Sequence, residues 1–178
     1  MTMLRSLALA CAALVSLTLP ARADLDIKSV TSPGGITAWL VEDHGIPFVA
    51  LEIVFKGGTS LDSPGKRGAT YLMTALIEEG AADMDSRAFA EARDALAASF
   101  SFDAGNDSVS VSARMLTENL DQAVALLREA LVSPRFDQPA IDRVREQVLS
   151  GLRSDAKSPE ALAPLAFDRL AFGPAIAV

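Results

Sequence analysis

The segment that determines the architecture of this chain runs from Gly68 to Ala81 and reads GATYLMTALIEEGA. Its apolar residues predict a helix over residues 68–79. Gly80 is suited to end that helix, because glycine accepts the left-handed conformation found just after helix ends. Residues 71 and 75 are four apart, so their side chains would lie on one face of the helix.

This segment resembles the signature helix of the M16 (pitrilysin/insulinase) metallopeptidases, in which Gly-x-x leads into His-x-x-Glu-His and a Gly-Thr follows. The glycines and the apolar frame of that motif are present here. Tyr71, however, stands at the first ligand position, Thr74 at the position of the catalytic base, and Ala75 at the second ligand position. The resemblance implies a peptidase fold without peptidase chemistry of its own.

The same resemblance places the family's third zinc ligand, a glutamate in a later helix, at Gly151. The two apolar residues expected ahead of that glutamate are present as Val148 and Leu149. Zinc hydrolysis requires three protein ligands, an open position for water and a base. A phenol at position 71 is a poor ligand, and a threonine at position 74 is no base at neutral pH. The degenerate site therefore predicts no catalytic residue, no metal and no cofactor.

The scarcity of nitrogen and sulfur ligands supports this prediction without any alignment. His44 is the only histidine and Cys11 the only cysteine of the chain. His44 is expected in a turn, and no Gly-x-Ser-x-Gly elbow is present to support a serine hydrolase. The carboxylates of Glu78, Glu79 and Glu146 are predicted to form a solvated face.

Residues 1–23 are typical of a secretory signal peptide. Arg5 precedes an apolar run over residues 7–19, and Ala21-Arg22-Ala23 offers the small-x-small cleavage pattern. The run is shorter than the roughly 20 residues that a membrane-spanning helix needs. The expected mature protein, residues 24–178, would be periplasmic or secreted, with no membrane partner after cleavage.

The charge of the mature chain argues against a nucleic-acid partner. Cleavage would remove two of the 16 Lys and Arg residues and leave 14 against 23 Asp and Glu, a formal net charge of −9. Nucleic-acid binding requires a basic face instead. About 155 residues suffice for one domain with a core, and a helix still running near Gly173-Pro174 predicts a domain truncated at its C-terminus.

The order of predicted elements indicates an α+β domain, with helices packed on a largely antiparallel sheet. That order resembles the N-terminal half of an M16 protein, a fold also described as LuxS/metallohydrolase-like. The predicted elements are strands at 27–31, 37–41 and 48–55, helices at 68–79 and from Asp85 or Ser86 to Ala98, strands at 99–103 and 109–113 around a Gly105-Asn106 turn, and helices from Thr117 to Leu131, from Asp137 and from Ser158.

The resemblance implies a non-catalytic subunit that pairs with a zinc-bearing M16 peptidase and helps to form its peptide-binding chamber. An extended peptide substrate would add to the strand that contains Ser101, Phe102, Asp103 and Ala104 through backbone hydrogen bonds. The alternative for this strand is ordinary sheet packing. Two further hypotheses stay open at this point. The first is a stand-alone peptide-binding or scaffolding module, and the second is a truncated, inactive remnant of a zinc metallopeptidase.

Overall fold

The computed structural model describes residues 26–173, which divide after Ile46 into two units. The predicted signal peptide and residues 174–178 lie outside the described residues. The first unit is an antiparallel hairpin of β1 (Ile27–Thr31) and β2 (Thr37–Val41). Its turn contains Gly35 at φ 85°, a conformation that favours glycine.

The second unit is built on a three-stranded antiparallel sheet with the order β3-β7-β6. Its strands are β3 (Phe48–Lys56), β6 (Ser99–Ala104) and β7 (Ser108–Leu116). Strand β7 lies in the centre, where Ala113 pairs with Leu51 on β3 and with Phe100 on β6. The strands β4 (Gly80–Ala81) and β5 (Met84–Asp85) form a separate, short antiparallel ribbon.

Five helices complete the described part of the second unit, and none of them is long and apolar enough to cross a membrane. Short 3₁₀ turns lie at Thr59–Leu61 and Thr117–Asn119. The helices are α1 (Ala69–Leu76), α2 (Ser86–Ala95), α3 (Leu120–Val132), α4 (Gln138–Asp155) and α5 (Pro159–Phe172).

The main core forms between the inward side chains of β6 and β7 and the helices α1, α2 and α3. Alternation along β7 puts one residue in two on this side, as expected of a sheet with one covered face. A second cluster joins α1 to α4 through Leu76, Ala140 and Val144. The buried residues of the main core are Ile77, Ala81, Phe89, Ala98, Phe100, Val111, Ala113, Met115, Ala123, Leu126, Leu127 and Ala130.

This architecture confirms the predicted α+β class with antiparallel strands, although several boundaries were wrong. Helix α1 ends at Leu76, and Gly80 instead opens β4 at φ 124°, where an added Cβ would lie 2.8 Å from the Met84 carbonyl oxygen. Thr117 does not cap α3. It begins a 3₁₀ turn, and its hydroxyl donates a hydrogen bond to the Pro47 carbonyl.

The start of α1 is held by Asp62, which lies six residues before the helix's own N-terminal glycine. The Asp62 carboxylate accepts hydrogen bonds from the amide of Gly68 at 2.7 Å and from the amide of Thr70 at 3.1 Å. It also accepts one from the Thr70 hydroxyl at 2.6 Å. The start of a helix leaves several backbone amides without hydrogen-bond partners. The Asp62 carboxylate supplies a partner for two of them, and its negative charge interacts favourably with the helix dipole.

The loop after β3 is fixed to the tip of the β6–β7 hairpin. Its amides at Gly57 and Thr59 donate to the carbonyls of Asp107 and Gly105, at 2.8 and 2.9 Å. A Cβ on Gly58 would lie 2.1 Å from the Gly105 carbonyl oxygen, so only glycine allows this approach. The loop that carries Asp62 is therefore anchored at a defined point of the sheet.

Replacing Phe89 with Ala is expected to lower the free energy of unfolding by about 3 to 5 kcal/mol, because the Phe89 ring is completely buried. Phe167→Ala is the matched control, since that ring is 65% exposed on α5 and surface substitutions change stability by about 0.5 kcal/mol or less. Urea unfolding followed by circular dichroism measures both. Equal losses in the two variants would contradict the assigned core.

Acid is expected to release Asp62 from the start of α1. The hydrogen bond from the Thr70 side chain, helped by backbone amides and opposed by burial, holds the pKa of Asp62 below its usual value. Such a carboxylate stabilises the fold above its ordinary pKa and loses that contribution as the pH falls through the folded value.

Asp62→Asn should therefore flatten the fall in melting temperature below about pH 4. Asp83→Asn, at an exposed carboxylate in the β4–β5 turn, is the control and should leave that fall unchanged. Melting curves between neutral pH and pH 3 measure the difference. Parallel curves for Asp62→Asn and the unsubstituted chain would rule out the anchor.

Candidate functional site

Helix α1 has three faces with different surroundings. Leu76 packs against α4 in the second cluster. Met73 and Ile77 turn towards the sheet and line an apolar cavity with β7 residues. Tyr71 and Ala75 occupy the remaining face and are exposed, Tyr71 by 51%. The two positions predicted from the sequence to share one face therefore do so, and that face is open.

Thr74, at the position expected for a catalytic base, is buried rather than open. Only 5% of its surface is exposed. Its hydroxyl donates a hydrogen bond of 2.9 Å to the carbonyl of Tyr71, within the same helix. This bond to the preceding turn is the usual arrangement of a threonine inside a helix. The side chain at this position has no acidic or basic function.

Gly151, at the position expected for the third ligand, lies on α4 among the residues that face α1. A helical repeat of 3.6 residues puts it on the same side as Val144 and Val148, which belong to the cluster between the two helices. Gly151 is exposed, and an added Cβ would meet no atom within 4 Å. A side chain could therefore be placed here without any steric conflict.

The residues at these positions do not fit a zinc ion. Zinc in proteins is bound by imidazole, thiolate or carboxylate groups, whereas Tyr71, Ala75 and Gly151 together offer one phenol. Within residues 26–173, His, Cys, Asp and Glu side chains form no group of three that could hold a metal ion. No step through zinc can be derived for this chain.

Glu78 and Glu79, which follow α1, form ion pairs and hydrogen bonds with neighbouring helices. The prediction that they lie on a solvated face was therefore wrong. Glu78 pairs with Arg93 on α2 at 2.7 Å. Glu79 accepts a hydrogen bond of 2.5 Å from Ser86 and pairs with Arg143 on α4. Burial raises the pKa of Glu79, but these hydrogen bonds outweigh it and leave the pKa below its usual value.

Glu146 and His44 behave as the sequence suggests. The Glu146 side chain is 70% exposed and lies 4.0 Å from Arg153, a loose surface pair. His44 lies after β2 in the first unit, next to a turn in which the Gly45 amide donates to the Asp43 carboxylate at 2.8 Å.

The outer edge of β6 is a second open feature, next to α1, which packs against this strand. Among residues 26–173, no other strand pairs with that edge. The Gly105 amide donates to the Ser108 carbonyl at 2.8 Å, which identifies this pair as hydrogen-bonded in the hairpin. Because hydrogen-bonded and non-hydrogen-bonded pairs alternate, the amides and carbonyls of Phe100, Phe102 and Ala104 point away from β7.

The four predicted substrate-binding residues thus divide into two pairs. Phe102 and Ala104 present backbone groups at the open edge. Ser101 and Asp103 use their backbone groups to pair with β7, and their exposed side chains lie on the face opposite the helices. The sequence identified the strand that also contains Phe100, but it could not show which backbone groups point outward, because that parity depends on the turn geometry and not on the residue type.

An apolar cavity of ≈ 310 Å³ opens between the sheet and helices α1 and α3. It contains no charged side chain, and no sequence motif indicates it. Its shape suits apolar contact, and its walls carry no group for chemistry. It is lined by Phe55, Met73, Ile77, Val109, Val111, Ala130, Leu131, Pro134 and Phe136.

Known proteins similar to this chain include two from Helicobacter pylori. This chain is 29% identical over 124 residues to the protein named non-peptidase homolog YmxG, a match that covers 70% of this chain and 29% of that protein. A crystal structure described as a protease from the same organism superposes with a TM-score of 0.69 at 17% identity. It covers 82% of this chain and 35% of that chain, and at this identity it shows the fold alone.

Two further relatives have contrasting names. A crystal structure of an inactive peptidase M16 domain from Pseudomonas fluorescens superposes with a TM-score of 0.74 at 27% identity, and covers 82% of this chain and 35% of that chain. An uncharacterized zinc protease from Rickettsia bellii is 21% identical over 122 residues, which cover 67% of this chain and 30% of that protein. The chain spans 29 to 35% of the length of all four relatives.

The family assignment follows from a match over most of the chain. The family model described as insulinase, peptidase family M16, matches residues 37–171. This range includes α1 and α4 with the substituted positions at 71, 74, 75 and 151. The chain therefore belongs to the M16 insulinase family, as a degenerate member that lacks the catalytic site.

Proposed function

We propose that this chain is a zinc-free M16 subunit that holds extended peptide segments on β6 and pairs with a zinc-bearing M16 peptidase. One observation carries the proposal. The exposed face of α1 has lost every group needed for zinc chemistry, while the buried faces that hold α1 beside the β6 edge are intact. A domain that keeps this fold can still bind peptides, although it has no groups with which to cleave them.

The names of two relatives support a non-catalytic role. The Helicobacter pylori protein is named a non-peptidase homolog, and the Pseudomonas fluorescens structure is described as an inactive domain. The pairing with a catalytic subunit and the shared peptide chamber rest on the resemblance to paired M16 proteins. The leader at residues 1–23 supports a periplasmic or secreted location for this pair.

The β6 edge supplies the binding energy in this proposal. The backbone groups of Phe100, Phe102 and Ala104 would each exchange hydrogen bonds with an added strand, which is β-augmentation. Each such bond contributes about 0.5 to 1.5 kcal/mol net. Side chains of the added strand would point alternately to the exposed face of α1, near Tyr71, and to the opposite face of the sheet.

A stand-alone peptide-binding module is the second candidate, because the open edge of β6 does not itself require a partner. The two candidates differ in what a zinc-bearing M16 peptidase does in the presence of this chain. The partner proposal requires a complex in which hydrolysis depends on both chains. A remnant without function would instead show neither peptide binding nor a cooperative unfolding transition.

Co-purification with a His-x-x-Glu-His M16 peptidase from the same genome tests the partnership. We expect a complex of defined mass in size-exclusion chromatography with light scattering. We also expect unfolded casein to be cleaved faster by the complex than by the peptidase alone. The Glu→Gln variant of the peptidase's own base controls for contaminating activity. Peptide binding without any complex would select the stand-alone module.

Ala104→Pro is expected to weaken binding of an extended, fluorescein-labelled peptide at least about tenfold, because one outward donor is lost and the ring blocks its neighbour. Proline is tolerated here, since the Ala104 amide points away from β7 and contributes nothing to the sheet. Ala104→Val keeps the amide and serves as the control. Fluorescence anisotropy measures both, and equal affinities would place the peptide elsewhere.

Restoring three ligands is expected to restore a metal site. The triple variant Tyr71→His, Ala75→His and Gly151→Glu changes only exposed positions, so the core remains intact. We expect zinc to bind with a roughly micromolar or lower dissociation constant, measured by chelator competition. The control replaces Ser150 instead of Gly151 with Glu, which turns the carboxylate away from α1. Equal affinities in both variants would show that Gly151 is not the third ligand position.

A further inference from the structure

Charged side chains stand in fixed register on the face of β6 and β7 that the helices leave open. Ser99 pairs with Arg114, Ser101 with Ser112, and Asp103 with Ser110. A strand added at the β6 edge would continue these three rows, since residues opposite each other lie on the same face. The rows therefore determine which side chains of a bound peptide meet which groups.

Arg114 provides a positive charge at one end of this face. It is exposed, and no carboxylate within residues 26–173 forms an ion pair with it. Glu52, on the same face, instead accepts a hydrogen bond from Ser112. A recess of ≈ 220 Å³ lies beside Arg114 and is lined by Ser99, Phe100, Ser101, Ser112, Ala113 and Arg114.

Asp103 provides a negative charge at the other end, on the edge strand itself. Its carboxylate is exposed and accepts a hydrogen bond of 2.7 Å from the Ser101 hydroxyl. Within residues 26–173, no Lys, Arg or His forms an ion pair with it. A basic side chain directly opposite Asp103 could therefore form an ion pair with this carboxylate, whose other partner is a neutral hydroxyl.

The distances suit a peptide with two opposite charges. Ser99 and Asp103 are four residues apart, which is about 13 Å along a strand. Arg114 lies one strand behind Ser99, so its Cα would be about 9 to 10 Å from an added strand. Arginine and glutamate side chains reaching towards each other can span that distance over the recess. The peptide residues concerned would also be four apart.

Resting on the proposed function, we propose that this face selects extended segments with an acidic side chain opposite Ser99 and a basic side chain opposite Asp103. The acidic group enters the recess beside Arg114, and the basic group pairs with Asp103. In a peptide antiparallel to β6, the residue opposite Asp103 comes before the residue opposite Ser99. The basic residue therefore precedes the acidic one by four positions. The reverse order marks a parallel peptide.

Matched peptides test this selection. The probe is a ten-residue, fluorescein-labelled Ser-Thr-Val host that carries one Lys and one Glu, four positions apart or two positions apart. Both peptides have the same composition and keep the charges on one face. We expect the four-position peptide to bind about two- to fivefold more tightly, the range that cross-strand charge pairs give.

Two variants assign the effect to its residues. Arg114→Gln should remove the preference for the four-position spacing. Asp103→Lys should shift the preference between hosts that carry a single Lys or a single Glu towards the single Glu. Asp83→Lys, which makes the same charge change in the exposed β4–β5 turn, is the control and should leave that preference unaltered. Equal effects of Asp103→Lys and Asp83→Lys would assign the preference to net charge alone and overturn the proposal.

The outcomes also separate this inference from the proposed function. If the uncharged host binds, and Ala104→Pro weakens it, while the spacing of charges has no effect, the inference fails and the peptide edge stands. If the unsubstituted chain binds none of these peptides, the edge and the inference fail together. Binding that Ala104→Pro leaves unchanged, with a spacing preference retained, would place the peptide away from the β6 edge and contradict the proposal.

Discussion

Helix α1 is held against the sheet by one apolar face and against α4 by another, and the open surface of the protein depends on that burial. Ile77 belongs to the main core and Leu76 to the cluster with α4. Asp62 fixes the start of the helix, and Glu79 ties the segment after it to α2 and α4. The strip with Tyr71 and Ala75 remains exposed.

This division explains how a peptidase fold can lose its chemistry and persist. The positions of the three ligands are exposed, so substitutions there remove no buried contact and change stability little. The flanking apolar residues are buried, and truncating them would cost several kcal/mol. Selection for a folded protein therefore retains the frame around positions 71, 75 and 151 even when the residues at those positions change.

The sequence predicted those features that depend on local pattern. Alternation located β6 and β7, and helical spacing put residues 71 and 75 on one face, whose exposure only the structure showed. Features that join distant segments escaped it. Arg143 reaches Glu79 from 64 residues away. Gly68 occupies the usual capping position of α1, but the cap is supplied by Asp62 from elsewhere in the sequence. The residue at the usual position therefore did not indicate this cap.

The candidate site shows the same limit in another form. Residues 99–104 were identified as a strand, but their outward amides could be assigned only from the hydrogen bond between Gly105 and Ser108. Arg114 drew no attention in the sequence, because its place beside Ser99 depends on the hairpin register. Residue types thus indicated the missing zinc site, whereas identifying the open edge of β6 required the pairing of strands.

The central position of β7 also governs how the chain reaches its native state. Phe48 on β3 pairs with Leu116 on β7, 68 residues later. During synthesis from the N-terminus, the apolar strand β3 therefore stays unpaired while α1, α2 and β6 are made, because its partner β7 follows them. Closing so long a loop slows folding, and chains with such non-local pairing typically fold on the order of milliseconds to seconds.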